Sequence, residues 1–170
     1  AFVAILLGMP VQFLLPAFVV EALEMGALAL GFLMMVTGIG ALGGSLMMAG
    51  LGGLQHKGLL LLAAVLVWGV SLLIFSVATD LVVAGIGIFL LGFASAVFMT
   101  LNASVIQLLS VPEMYGRMMS MQMMIFGMMP MAVMPMGALA EAIGTPEALT
   151  ATAMLLIIAG IVLLLLNRPL

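Results

Sequence analysis

Apolar residues in this chain neither alternate with polar ones nor mark one face of a helix. They run together in blocks of about twenty, cut by short polar breaks. Six blocks stand out: Phe2–Val20, Ala27–Leu51, Gly58–Val77, Leu81–Leu109, Met114–Ala142 and Ala148–Leu166. About 20 consecutive apolar residues is what an α-helix needs to cross the hydrocarbon core of a bilayer. Strands of a membrane barrel would alternate with a period of two, and no such alternation is present. The pattern predicts an all-α integral membrane protein with six transmembrane helices.

The breaks carry helix-start signals. Asp80 is placed to accept hydrogen bonds from the free N–H groups of the helix that follows it. Ser110-Val111-Pro112-Glu113 reads as a capping box with proline in the first turn. Thr145-Pro146-Glu147 offers a capping hydroxyl, an N-terminal proline and an acid near the positive end of the helix dipole.

Composition agrees with the blocks. The chain is 67% hydrophobic and 5% charged, against about 25% charged in soluble domains, so the lipid bilayer is its expected solvent. With no cysteine, disulfides, thiolate metal sites and thiol nucleophiles are excluded. A net charge of −3, scattered along the chain, gives no footprint for nucleic acid. The chain is already apolar at Phe2 and has no initiating methionine, charged leader or cleavage site, so it is expected to be a piece of a longer polypeptide. Charge also orients the spans. Glu21, Glu24, Asp80, Glu141 and Glu147 fall in the breaks after spans one, three and five. His56, Lys57, Glu113, Arg117 and Arg168 fall on the other side. All three fixed positive charges, Lys57, Arg117 and Arg168, therefore share one side. The positive-inside rule makes that side cytoplasmic, with both termini of the segment inside.

Within the spans the informative residues are small, cyclic or uncharged. Gly40 and Gly44 form a small-xxx-small pair in span two, and Gly85, Gly87 and Gly92 form a second set in span four. Such residues let helix backbones approach closely in lipid, either for tight packing or for sliding during a transport cycle. Pro10 and Pro16 interrupt span one, and Pro130 and Pro135 span five; each removes a backbone donor and tends to kink its helix. Spans one to three and four to six can be set against each other as inverted repeats, but the prolines fall at non-equivalent spans and no sequence repeat accompanies them.

No ionisable residue lies deep within a span, where a charge costs roughly 2.5–3.5 kcal/mol. The polar side chains there are amides: Gln12 in the middle of span one, Gln122 early in span five, and Asn102 and Gln107 toward the inner end of span four. Amides in lipid need partners. They therefore serve as hydrogen bonds between helices or as walls of a substrate cavity. Gln12 and Gln122 are the cavity candidates, and Asn102 and Gln107 the gate or packing candidates. Nothing catalytic is expected. No glycine-rich lysine loop for ATP is present, and the single histidine, His56, lies in a break, so no Ser/His/Asp set forms. No cofactor is expected. Ten of the nineteen residues from Met118 to Met136 are methionine. At 3.6 residues per turn they fall all round the helix. No single face collects them into a metal track, and a flexible thioether that fills irregular gaps explains them better.

One stretch resembles a known family. "LNASVIQLLSVPEMYGRMMSMQ" is similar to the tenth helix and following loop of the drug and siderophore exporter branch of the major facilitator superfamily. There the pattern runs Asn…Gln…Val-Pro-Glu…Arg-Gly-Arg-Val-Met-Ser. Asn102, Gln107, Val111, Pro112, Glu113, Gly116, Arg117, Met119 and Ser120 match it. "FGMMPMAVMPMGALAEAIG" resembles the eleventh helix through Gly127, Pro130, Gly137, Ala140, Glu141 and Gly144. The stretch from Leu14 to Leu51 resembles the seventh and eighth helices. Tyr115 departs from the pattern by standing where the first arginine of Arg-Gly-Arg is usual, and the break "GLGGLQHKG" keeps Lys57 as its one firm positive charge.

The resemblance implies a major-facilitator C-terminal six-helix bundle whose N-terminal half lies outside this sequence. It implies efflux of a small amphipathic molecule, a drug or siderophore, by alternating access across a bacterial cytoplasmic membrane, with protons as the exchanged ion in an antiporter. It makes Glu113, Gly116 and Arg117 gate candidates beside Asn102 and Gln107. Gly40, Gly44, Gly127, Pro130, Pro135 and Gly137 become the kink and packing positions. The alternatives are a half-size carrier that works as a homodimer and a membrane subunit that does not transport.

Overall fold

The computed structural model describes residues 8, 11–50, 57–109 and 114–166. Its helices are α1 (Val11–Glu21), α2 (Ala27–Gly50), α3 (Lys57–Ser76), α4 (Leu81–Leu109), α5 (Tyr115–Gly127), α6 (Met129–Ile143) and α7 (Thr145–Leu166). No strand occurs among the described residues. Five stretches are long and apolar enough to cross a membrane: Ala27–Gly50, Gly58–Ser76, Leu81–Gln107, Gly116–Ile143 and Thr145–Leu165; α1 is a shorter apolar helix. The fold is the expected all-α membrane bundle. Pro10, His56 and the capping box from Ser110 to Glu113 lie outside the described residues, as does Arg168.

Span five is not one helix. Its crossing stretch divides into α5 and α6 at Met128, which adopts φ −84° and ψ −4°, with Pro130 in the first turn of α6. Proline has no N–H to continue the ladder and crowds the preceding turn, so the helix restarts rather than bends. Pro16 and Pro135, by contrast, sit inside helices that continue through them.

The bundle is organised around α4. Apolar burial does not drive helices together in lipid; close backbone approach does. A methyl group added at Gly40 would collide with the Phe89 carbonyl, one at Gly44 with the Phe93 carbonyl, and one at Gly92 with the Thr37 carbonyl. These are reciprocal contacts, backbone against backbone, that seat α2 on α4. On another side of α4, Gly87 lies against Phe75, whose Cα and N are both 2.9 Å from where its Cβ would stand, and this brings in α3. Gly69 and Gly160 meet Ile157 and Leu66 and join α3 to α7. Gly85, expected on a contact face, has no neighbour within 4 Å of a built Cβ among the described residues; it lines an open apolar groove of α4. The buried centre is aromatic: Trp68 stands 5.6 Å from Phe98, and Phe18 of α1 stands 4.4 Å from Phe75. Hydroxyls inside the spans bond their own helix, as Thr37 does to the Leu33 carbonyl at 2.8 Å and Ser71 to that of Val67 at 2.6 Å. They present little polarity to lipid.

At the acidic end the expected cap is replaced by a cross-link. Gly144, at φ 98°, takes the cap position: its N–H bonds the Ala140 carbonyl, closing α6, and its carbonyl accepts from Ala148, opening α7. Thr145 therefore lies in the first turn. Its hydroxyl donates to the carboxylate of Glu21 at the end of α1, at 2.5 Å. Glu24, at φ 51°, turns the chain out of α1 so that the Met25 N–H returns to the Val19 carbonyl. Asp80 contributes its backbone carbonyl, which accepts from Ala84. Thr145→Val keeps the shape and removes the hydroxyl donor. It is expected to cost about 1 kcal/mol, read as a lower thermal midpoint in detergent. Combining it with Glu21→Ala should cost no more than the larger single change; fully additive losses would mean that the two side chains do not act as a pair.

Candidate functional site

Gln12 stands where α1, α2 and α4 leave space between them. A cavity of about 340 Å³ opens there, lined by Val11, Gln12 and Leu15 of α1, by Met34, Thr37 and Gly38 of α2, and by Ile88 and Leu91 of α4. The glycine seam between α2 and α4 fixes two walls. The third is α1, held by Leu14, Phe18 and Val19, which are buried in the core. Of the lining side chains only Gln12 and Thr37 are polar, and Thr37 has committed its hydroxyl proton to Leu33. Gln12 is thus the one side-chain amide here, exposed toward the opening. Pro16 lies four residues further on, so the Gln12 carbonyl lacks the N–H that normally closes a helical turn on it. An apolar chamber with one directional polar group fits an amphipathic solute.

The other amides are dispersed. Asn102 is buried in α4 beside Leu101, 5% exposed. Gln107 lies exposed near the end of the same helix. Gln122 of α5 is apart from the Gln12 cavity, and its Oε1 is buried without a hydrogen-bond partner. Gly116 and Arg117 begin α5, both exposed, while Glu113 lies outside the described residues. Gly127 ends α5, and neither it nor Gly137 has a neighbour within 4 Å of a built Cβ; neither packs against another helix among the described residues. Met136 is buried in the core, whereas Met121, Met123, Met124, Met131 and Met134 are exposed on this bundle. No group of three or more His, Cys, Asp or Glu that can hold a metal exists among the described residues.

Sequence reasoning singled out Gln12 but not its companion Thr37, because a threonine one turn below a leucine in an apolar run looks like any other. It also missed the bond between Glu21 and Thr145, which are distant in sequence and meet only in the fold. A second, wholly apolar groove of about 440 Å³ runs between the first turns of α2 and α4, past Phe32, Val82 and Phe89. With no polar lining it offers nothing that orients a ligand.

No curated protein and no solved structure matches the chain. A family does: all of residues 1–170 match the model described as transmembrane secretion effector, of the major facilitator type. With apolar helices of crossing length and a family match over its whole length, the chain belongs to the transmembrane secretion effector family of the major facilitator superfamily, a family of multi-pass membrane transporters.

Proposed function

We propose that this chain is one six-helix half of a secondary active exporter, moving small amphipathic molecules such as drugs or siderophores by alternating access. The observation that carries the reading is the chamber at Gln12: apolar walls from three helices with a single orienting amide. A partner half of six helices covers the open side of the bundle, and the two rock around the site between them. In this reading the side that carries Lys57, Arg117 and Arg168, with the loops after spans two and four and both ends of the segment, faces the cytoplasm of a bacterium, as the positive-inside rule supports. Exchange against protons then requires an acid in the partner half, because the acids at the ends of these spans lie outside the mid-membrane region.

Substrate flux in proteoliposomes tests the reading directly. Accumulation of an amphipathic dye against its gradient, dependent on an imposed pH difference, is the expected result. A protein that inserts but moves no amphipathic solute would instead be a membrane subunit without transport. Arg117, exposed at the start of α5, is placed to reach carbonyls or an acid of a neighbouring helix when the inner gate closes. Arg117→Ala is expected to lower flux severalfold while membrane insertion, read by protease protection, stays unchanged. Equal flux would remove Arg117 from the gate.

A further inference from the structure

The break between α5 and α6 leaves hydrogen-bond acceptors in the wrong solvent for a lipid-facing helix. The Met128 N–H closes α5 on the Met124 carbonyl. The next donor in the series would be Met129 and the one after it Pro130, which has no N–H to give the Phe126 carbonyl. The Met131 N–H turns back to Met128, at 3.0 Å, and so does not serve Gly127. Phe126 and Gly127 thus carry carbonyls without their helical donors. One turn before Phe126, on the same face, Gln122 adds its unpartnered Oε1.

Depth makes these acceptors significant. The crossing stretch runs from Gly116 to Ile143, which places Met128 about 18 Å of helix from one end and about 22 Å from the other. This is the middle of a core about 30 Å thick. Irregular backbone at that depth is tolerated only where protein covers it or where it lines a water-filled cavity. Among the described residues Gly127 has no atom within 4 Å of a built Cβ, and Met128 and Pro130 are exposed, while the Gln122 Oε1 beside them is itself buried. The carbonyl end of α5 also carries the negative pole of its dipole. The first turn of α6 sets its own positive pole beside it, so what distinguishes the site is its unpaired carbonyl acceptors and not a net field.

We propose that the α5–α6 break is a binding site for the hydrogen-bond-donating head of an amphipathic solute, an ammonium or a hydroxyl group, with Gln122 and the Phe126 and Gly127 carbonyls as its acceptors and the neighbouring methionines, Met123 and Met131, in contact with its apolar part. The inference rests on the export reading and gives the substrate a polar handle. It also fixes which face of α5 and α6 turns toward the aqueous pathway.

The test uses the full-length protein in proteoliposomes and two probes, a fluorescent lipophilic primary amine and its N-trimethylated analogue, which has equal charge and no donor. The wild type should move the primary amine about tenfold better, the worth of one good hydrogen bond in binding. Pro130→Ala restores an N–H for Phe126 and should bring the ratio of the two fluxes close to one; Gln122→Leu should lower it severalfold. A wild-type ratio of one, or a ratio unaltered in both variants, overturns the site while leaving export intact. Absence of flux for every amphipathic solute, neutral ones included, overturns the export reading itself. A separate measurement needs no tolerance of the proline change. The chain lacks cysteine, so Gly127→Cys introduces a single thiol in this half. A water-soluble maleimide should label it, and the primary amine should protect it. A thiol that reacts only with membrane-permeant reagents faces lipid, and the site is then excluded.

Discussion

Gly40→Ala, a change of one methyl group, is expected to destabilise the bundle by about 1–3 kcal/mol, and Gly40→Val is expected to prevent its accumulation in the membrane. The added carbon has no place to go. The nearest atoms are the carbonyl of Phe89, its carbon at 3.0 Å and the amide nitrogen of Phe93 at 3.1 Å. All belong to the α4 backbone, which cannot rotate aside as a side chain would. The helices must move apart, and the same separation opens the contacts of Gly44 with Phe93 and of Gly92 with Thr37. Gly85→Ala is the matched comparison on α4. Among the described residues its Cβ meets nothing within 4 Å, so it should be neutral or gain up to about 1 kcal/mol of helix propensity. Thermal midpoints of the purified variants decide the matter. If Gly40→Ala and Gly85→Ala melt together, backbone approach does not hold α2 on α4. Because the three close glycines share one seam, combining Gly40→Ala with Gly92→Ala should cost less than the sum of the two.

The same positions show what the sequence makes legible. Blocks of apolar residues long enough to span a bilayer, cut by Glu21, Asp80 and Glu147, are a one-dimensional signal: each block holds helix, although the fifth is divided at Met128 and the first holds only the short α1 among the described residues. The small-xxx-small pair Gly40 and Gly44 was also readable, since four residues bring two glycines onto one face. Which helix that face meets was not: Gly87 and Gly85 differ by two positions on α4, yet one touches Phe75 and the other touches nothing. Thr145 shows a different limit. Thr-Pro-Glu has the composition of a helix start, but Gly144 can adopt a positive φ that threonine resists, so the cap moved one residue back and the hydroxyl was left for Glu21. Pro130 and Pro135 are equally proline in the sequence. Only Pro130 follows a glycine-terminated turn, and there the helix ends and restarts.

Gln12→Leu is expected to leave insertion and folding unchanged and to lower transport about tenfold through a higher KM. Leucine is preferred to an amide in lipid, so the bundle loses nothing by accepting it. Gln12 is exposed toward the chamber rather than wedged in the core, and among the described residues no hydrogen bond from its side chain braces another helix. If the amide orients the solute, its loss removes one hydrogen bond made with the bound molecule, about 1.4 kcal/mol for a factor of ten. Gln12→Asn keeps the amide one methylene shorter and should recover part of the affinity. A structural amide would behave otherwise: the thermal midpoint would fall, KM would stay, and asparagine would help folding rather than binding. Thr37→Val separates the two polar groups of the chamber. Its hydroxyl proton is already engaged with Leu33 at 2.8 Å, so only its lone pairs face the solute, and its replacement should raise KM less than that of Gln12. An equal rise for both would mean that the chamber recognises its solute by general polarity and not through the Gln12 amide.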